Sequence, residues 1–350
     1  MAAQPGSLTT HFVGSIPLET ADIVFRQVAG AVGPHLKRLP DGEIGKRRYW
    51  IRHIQFMLAE HPAFEVDPSV PLFKFTQWDG KVVREIKLLK FKDGVDPAKV
   101  TFDTGYAAAA KESWATFEKL ERAGVIPRGV KFQVCLPTPL ATAYNCIAPR
   151  SRADYADTFG RHMLDEVAEI ARALPNDRIA LQWDVCQEVL AWEGYYGKQA
   201  DGERDEIIAT LALLGDAVPE PIELGYHLCY GSPADEHMIQ PKDAGVMVEI
   251  TNRLMAAVRR PVAFMHLPVP KNRADDAYYA PLKNLELKPG TELLLGLVHY
   301  DDAAGNARRL AAARRFAPVA GIGTECGWGR ADPARVPGFL AAHAALAAKG

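Results

Sequence analysis

Cysteine is scarce and uneven in this chain: five residues (Cys135, Cys146, Cys186, Cys229 and Cys326) stand far apart among 350. An odd, scattered set does not read as a disulfide framework, so each is a buried hydrophobe, a nucleophile or a metal ligand in a reducing compartment. Clustered positive charge is also missing. With a net charge of −2 and no basic tract to follow a phosphate backbone, a nucleic-acid partner is not expected. No apolar run is long enough to span a bilayer, and "MAAQPGSLTTHFVGS" has neither the basic start nor the apolar centre of a signal peptide. These absences predict a cytoplasmic protein that acts on small-molecule substrates, without membrane or nucleic acid; a homo-oligomer is compatible with them. A glycine-rich G-x-G-x-x-G turn is absent after the first strand, where the chain reads "VGSIPLET", which argues against a dinucleotide site.

What is present is a composition able to build a large core, 48% hydrophobic and 24% charged. Short β-branched apolar runs alternate with segments of helical periodicity, the pattern of β-α units around a parallel sheet. Strands are predicted at 11–17, 37–43, 131–139, 179–185, 222–230, 262–269, 292–300 and 319–327. Eight such units close a barrel, so the expected fold is α/β: a single (β/α)8 TIM barrel domain over residues 1–350. Segments 153–174 and 242–260 carry apolar residues at three-and-four spacing and read as helices. An insertion at about 62–105, between strands two and three, contains "WDGK" between alternating runs, the signature of a β-hairpin with an Asp-Gly turn.

In such a barrel, reactive side chains gather at the C-terminal strand ends. Read in order, those ends offer Ser15, Asp41 and Glu43, Thr138, Asp184, His227 and Cys229, His266, His299, then Glu325 and Cys326. His227 and Cys229 are two apart and point to one side of their strand. Imidazole with thiolate is a donor mixture suited to zinc, and Cys326 on the closing strand can supply a third ligand, leaving a position for substrate. Cys186 follows Asp184 by two and faces the same way, whereas Cys135 and Cys146 read as packing residues. Trp183 and Trp328 flank the site, either closing it or packing beside it. Taken singly, each His or Cys has a bland reading as a core residue.

"GYHLCYG" and "GTECGWGR", with "VGSIP", "DGEIGKR" and "LQWD", resemble the catalytic half of the cobalamin-independent methionine synthase family, over about residues 10–335. The wider group comprises zinc-dependent thiol alkyltransferases, on a barrel shared with uroporphyrinogen decarboxylase. The resemblance implies that His227, Cys229 and Cys326 bind Zn(2+), that Glu43 and Asp184 face the amino group of an amino-acid thiol, and that Ser15 touches its carboxylate. Strand six, where the family often places a glutamate ligand, has "MHLPVP", so His266 takes that position. Glu249 is the other acidic candidate, but it falls inside an amphipathic helix. Strand seven ends H-Y-D in place of D-I-H, so His299 and Asp301 are candidates for an exchanged acid/base pair. The half that holds a polyglutamated folate in methionine synthase has no counterpart in this sequence, and a folate donor is not implied.

A free thiol has a pKa of roughly 8.5 and is mostly protonated at neutral pH, so a metal that stabilises its thiolate prepares it to attack an alkyl carbon. The expected activity is therefore zinc-dependent alkyl or methyl transfer to a thiol such as homocysteine. A second enzyme reading keeps the metal and runs a lyase, demethylase or hydrolase reaction with His266, His299 and Asp301 as proton carriers. A non-enzyme reading makes the zinc purely structural, with His227, Cys229, Cys326 and His266 closing its shell. Glu43 and Asp184 have their own alternative as ion-pair partners of Lys46 or Arg47. Segment 270–284 is either a substrate lid or a solvated loop.

Overall fold

The computed structural model describes residues 8–232 and 236–349. Eight parallel strands form one sheet: β1 (Thr9–Thr10), β2 (Arg38–Pro40), β3 (Lys131–Pro137), β4 (Ile179–Val185), β5 (Glu223–Leu228), β6 (Phe264–Pro268), β7 (Glu292–Gly296) and β8 (Gly321–Ile322). Neighbours follow sequence order from β2 to β8, β8 pairs with β1, and a parallel bridge from Thr10 to Leu36 links β1 to the entry of β2. This is the arrangement of a (β/α)8 barrel, with helices such as Arg152–Ala173 and Gly245–Ala257 between strands.

The strands alternate as a barrel wall requires. On β5, Leu224, Tyr226 and Leu228 face the helices, where the Tyr226 hydroxyl donates to the Leu211 carbonyl at 3.0 Å. Glu223, Gly225 and His227 therefore face the interior. At the barrel base Arg38 donates to Glu223 at 2.6 Å and Glu292 at 2.9 Å and lies over the Phe264 ring, 4.4 Å from its centroid. Phe264 fills the space beside Gly225, where a Cβ would come within 2.1 Å of its ring, so glycine is required there. Above that layer His11 and Gln182 meet at 2.9 Å, and His266 sits in register with His227.

Three predicted strands come out differently: 37–43 and 319–327 shorten to β2 and β8, and 11–17 lies just beyond β1, which ends at Thr10. The remainder of each predicted segment lies outside the ladder and forms a loop at the C-terminal end. Glu43 has φ +48°, a strained conformation for a residue with a side chain. Between β2 and β3, Phe73–Thr76 pairs antiparallel with Val82–Ile86 around Asp79 and Gly80, and Phe64–Val66 pairs with Leu89–Phe91. Among the described residues no helix is long and apolar enough to cross a membrane.

Candidate functional site

His227, at the end of β5, Cys229 just beyond it, and Cys326, after β8, bring one donor atom each within 4.8 Å of one another. Period-two alternation carries Cys229 to the same side as His227, and the Cys229 backbone N–H still bonds to Val185 O at 2.9 Å, holding the extension in place. Cys326 reaches them because its loop lies against the loop after β1: Trp328 N donates to Ser15 O at 2.7 Å and Gly329 N to Ser15 Oγ at 3.3 Å. Gly327 makes that approach possible, since a Cβ there would stand 2.4 Å from Ser15 Oγ.

The cluster fits a metal ion. Nδ1 of His227 lies 2.7 Å from Nδ1 of His266, while the buried Nε2 of His227 has no partner. With the shared proton on His227, its Nε2 lone pair is left as a ligand, and His266 fixes the ring. The Cys229 thiol is pushed well up by its contact with Cys186 and by burial, and the Cys326 thiol by its contact with Cys229 and by burial. Crowded buried thiols of this kind are the donors that a thiophilic cation stabilises as thiolates.

Two carboxylates stand beside the cluster. Asp184 ends β4 in register with His227, accepts from Gln182 Nε2 at 2.8 Å, and has its pKa raised well above the usual range by burial and by Glu43. Burial likewise pushes Glu43 up to about 8, with Arg47 opposing and Asp41 adding to the rise. Neither pairs with Lys46 or Arg47 as considered above. Arg47 binds Asp41 at 2.6 Å, and Asp41 also accepts from Ser113 Oγ and the Glu43 N–H, each at 2.8 Å. Asp41 thus takes the cation and leaves Glu43, hydrogen-bonded to Ser15, facing the cavity.

Other expected residues fall elsewhere. His266 stands behind His227 and is outside the group of donor atoms that meet. His299 and Asp301 are not assembled as an acid/base pair at the cavity. His299 is buried with Nε2 2.9 Å from Val269 O, and burial pulls its pKa down to about 4; Asp301 is exposed, with φ +51°. Glu249 accepts from Trp192 Nε1 at 3.3 Å on a helix flank. In 270–284 the helix Asp276–Tyr279 buries Tyr278 and Tyr279 outside the cavity lining. Trp183 faces away from Asp184 and is fully buried, and Trp328 donates to Thr324 Oγ1 at 2.7 Å while stacking on Phe339. Cys135 donates to Val13 O and Cys146 to Thr142 O, both as packing residues, whereas Cys186 does line the cavity.

That cavity, of about 310 Å³, includes Ser15, Glu43, Asp184, His227, Cys229 and Cys326 in its lining. Its remaining wall was not identified from the sequence. Trp50, Ile51 and Arg52 come from the segment after β2, Phe75, Val83 and Arg84 from the hairpin, Asn145 from the helix Pro139–Cys146, and Arg330 from the loop after Cys326. The "WDGK" turn located the hairpin without revealing which of its side chains turn inward. Near Cys326, Glu325 binds His237 Nε2 at 2.6 Å and accepts from Ser232 Oγ at 3.2 Å, tying the loops after β5 and β8 together.

No family model and no curated protein matches the chain. Two solved structures share its fold over nearly their whole length. The structure of a B12-independent methionine synthase from Shewanella sp. W3-18-1 in complex with selenomethionine is 15% identical, with a TM-score of 0.61, and the match covers 100% of this chain and 96% of that one. A putative vitamin-B12-independent methionine synthase from Listeria monocytogenes is 13% identical, with a TM-score of 0.54, covering 98% and 99%. At these identities the likeness establishes the fold.

Proposed function

We propose that this chain is a zinc-dependent alkyltransferase, in the first instance a methyltransferase, acting on a small thiol such as homocysteine. The observation that carries the reading is the convergence of His227, Cys229 and Cys326 on one point of a cavity bordered by Glu43 and Asp184. Three protein donors are the complement of a catalytic zinc site with one open position. Zinc bound there would hold the substrate sulfur as a thiolate at neutral pH. The fold shared with methionine synthase structures supports the same assignment.

The chain's own residues divide the remaining work. His266 holds the His227 ring through Nδ1. Glu43 and Asp184, buried and mutually repelling, retain a proton near neutrality that an arriving ammonium group would displace. Ser15, whose Oγ already accepts from Gly329 N, marks the end of the cavity for the substrate carboxylate. Trp50, Phe75 and Leu190 supply apolar wall that limits water around the nucleophile. The lyase or hydrolase alternative loses its proton carriers, since His266, His299 and Asp301 all lie outside the cavity lining. A closed structural zinc would require His266, which is not among the donors that converge with His227, Cys229 and Cys326.

Metal analysis of wild type, Cys229→Ser and Cys326→Ser after refolding with zinc tests the centre. One equivalent in wild type and a loss in both variants is expected; a metal-free wild type sinks the proposal. X-ray absorption at the zinc edge with added homocysteine tests the thiol, by the gain of one sulfur scatterer.

A further inference from the structure

Two donors in the cavity wall lack acceptors. Arg84, on the Val82–Ile86 strand of the hairpin, lies over Phe75 with its guanidinium carbon 4.3 Å from the ring centroid, and its Nη2 donates to Asn145 Oδ1. Its Nε is buried without a partner. Asn145 is 3% exposed; its Oδ1 is committed to Arg84 and its buried Nδ2 is also unpartnered. Burial depresses the Arg84 pKa, and the ionisable groups acting on it are Cys146, Tyr196, Arg52 and Tyr195, none of them a carboxylate. Most buried polar groups in folded proteins are satisfied, so two orphaned donors, one cationic, on neighbouring residues that line the same cavity point to an acceptor there.

We infer that Arg84 and Asn145 form an oxyanion subsite, which takes a carboxylate, sulfonate or phosphate group of a molecule bound in the same cavity as His227, Cys229 and Cys326. An oxyanion in the cavity would give the Arg84 guanidinium and the Asn145 amide, each with a donor unpartnered within the protein, the acceptor they lack, and a guanidinium provides the charge-assisted, forked geometry that such groups match. The position of Arg84 on the hairpin gives that insertion a role in substrate choice. If the thiol is an amino acid held at Glu43 and Asp184, the oxyanion belongs to the alkyl donor. That attribution rests on the proposed function; the subsite itself does not.

Calorimetric titration of the metal-free full-length chain with acetate, methanesulfonate and inorganic phosphate, at constant ionic strength, tests the subsite. At least one anion should bind wild type and Cys229→Ser equally, and the one that binds identifies the class. Arg84→Gln should weaken that binding by about tenfold or more, with Asn145→Asp doing the same should Arg84→Gln fail to fold. No binding of any of the three to wild type, or unchanged binding in the folded variant, overturns the inference. Zinc content, measured in parallel, keeps the two proposals apart: a wild type that binds anion but holds no metal defeats the alkyltransferase reading and leaves the subsite standing.

Discussion

Replacing Glu43 with Gln should make the metal-free protein more stable at alkaline pH. Glu43 is 5% exposed, and the nearest cation, Arg47, is committed to Asp41 at 2.6 Å, so burial prevails and carries its pKa from 4.5 to about 8. An unfolded chain releases this proton near 4.5, whereas the folded chain keeps it until about 8. The raised folded value therefore contributes stability that is fully present below 4.5 and is lost as pH rises through 8. At about 1.36 kcal/mol per pH unit the interval sets a ceiling of roughly 5 kcal/mol, and local relaxation and water entry reduce this to about 2–3 kcal/mol. Asp184 reinforces the trend, because its own rise is caused partly by Glu43, and the substitution relieves both. Urea unfolding of wild type and Glu43→Gln in the presence of chelator, at intervals from pH 5 to 9, gives the comparison directly. The stability difference between them should move by about 2–3 kcal/mol in favour of the variant across that range. Parallel curves would refute the placement of Glu43 as a buried carboxyl without a cation of its own.

Arg47→Met leaves Asp41 buried without its cation and should cost about 3–5 kcal/mol in chemical denaturation, far beyond a surface ion pair. His266→Leu removes the group that orients His227 and should weaken zinc binding about 10–100-fold in competition with a chromophoric chelator; unchanged affinity would reduce His266 to a packing residue. His343, fully buried with Nδ1 2.8 Å from Phe339 O, is depressed by burial from 6.5 to about 4. Its contribution is present above 6.5 and lost as pH falls towards 4, so His343→Gln should flatten the acid limb of the stability profile by up to ~3 kcal/mol. An acid limb of equal slope in the variant would count against a neutral buried imidazole.

The middle of the barrel was legible because strand burial on both faces produces short, largely apolar runs bounded by turn residues. The prediction 179–185 coincides with β4, and 131–139, 222–230, 262–269 and 292–300 each contain their strand. The segments around β1, β2 and β8 misled because the chain runs on past the last ladder bond into loops whose backbone is held by tertiary contacts such as Trp328 N to Ser15 O. His227 and Cys229 were readable together because strand alternation is a local rule, and Cys326 because it follows the closing strand. His299 was not. Three residues beyond the end of β7, its direction depends on the Val269 carbonyl and on Asn306, whose Oδ1 accepts the His299 N–H at 2.9 Å.

The same distinction explains how the cavity is put together. Its reactive floor comes from strand ends, where ladder geometry aims the side chains: Asp184 from β4 and His227 from β5, with Cys229 one step beyond. Its outer wall comes from a hairpin and a short helix whose mutual approach no periodicity in the sequence encodes, and that approach places Arg84 against Asn145. Strand-end positions cannot move without disturbing the barrel, whereas the hairpin makes its own antiparallel ladder and can change side chains without altering barrel register. The chemistry proposed for the floor and the selectivity proposed for the wall are therefore separable in this molecule. Substitutions at Arg84 should alter which anion binds while leaving the His227, Cys229 and Cys326 donors in place.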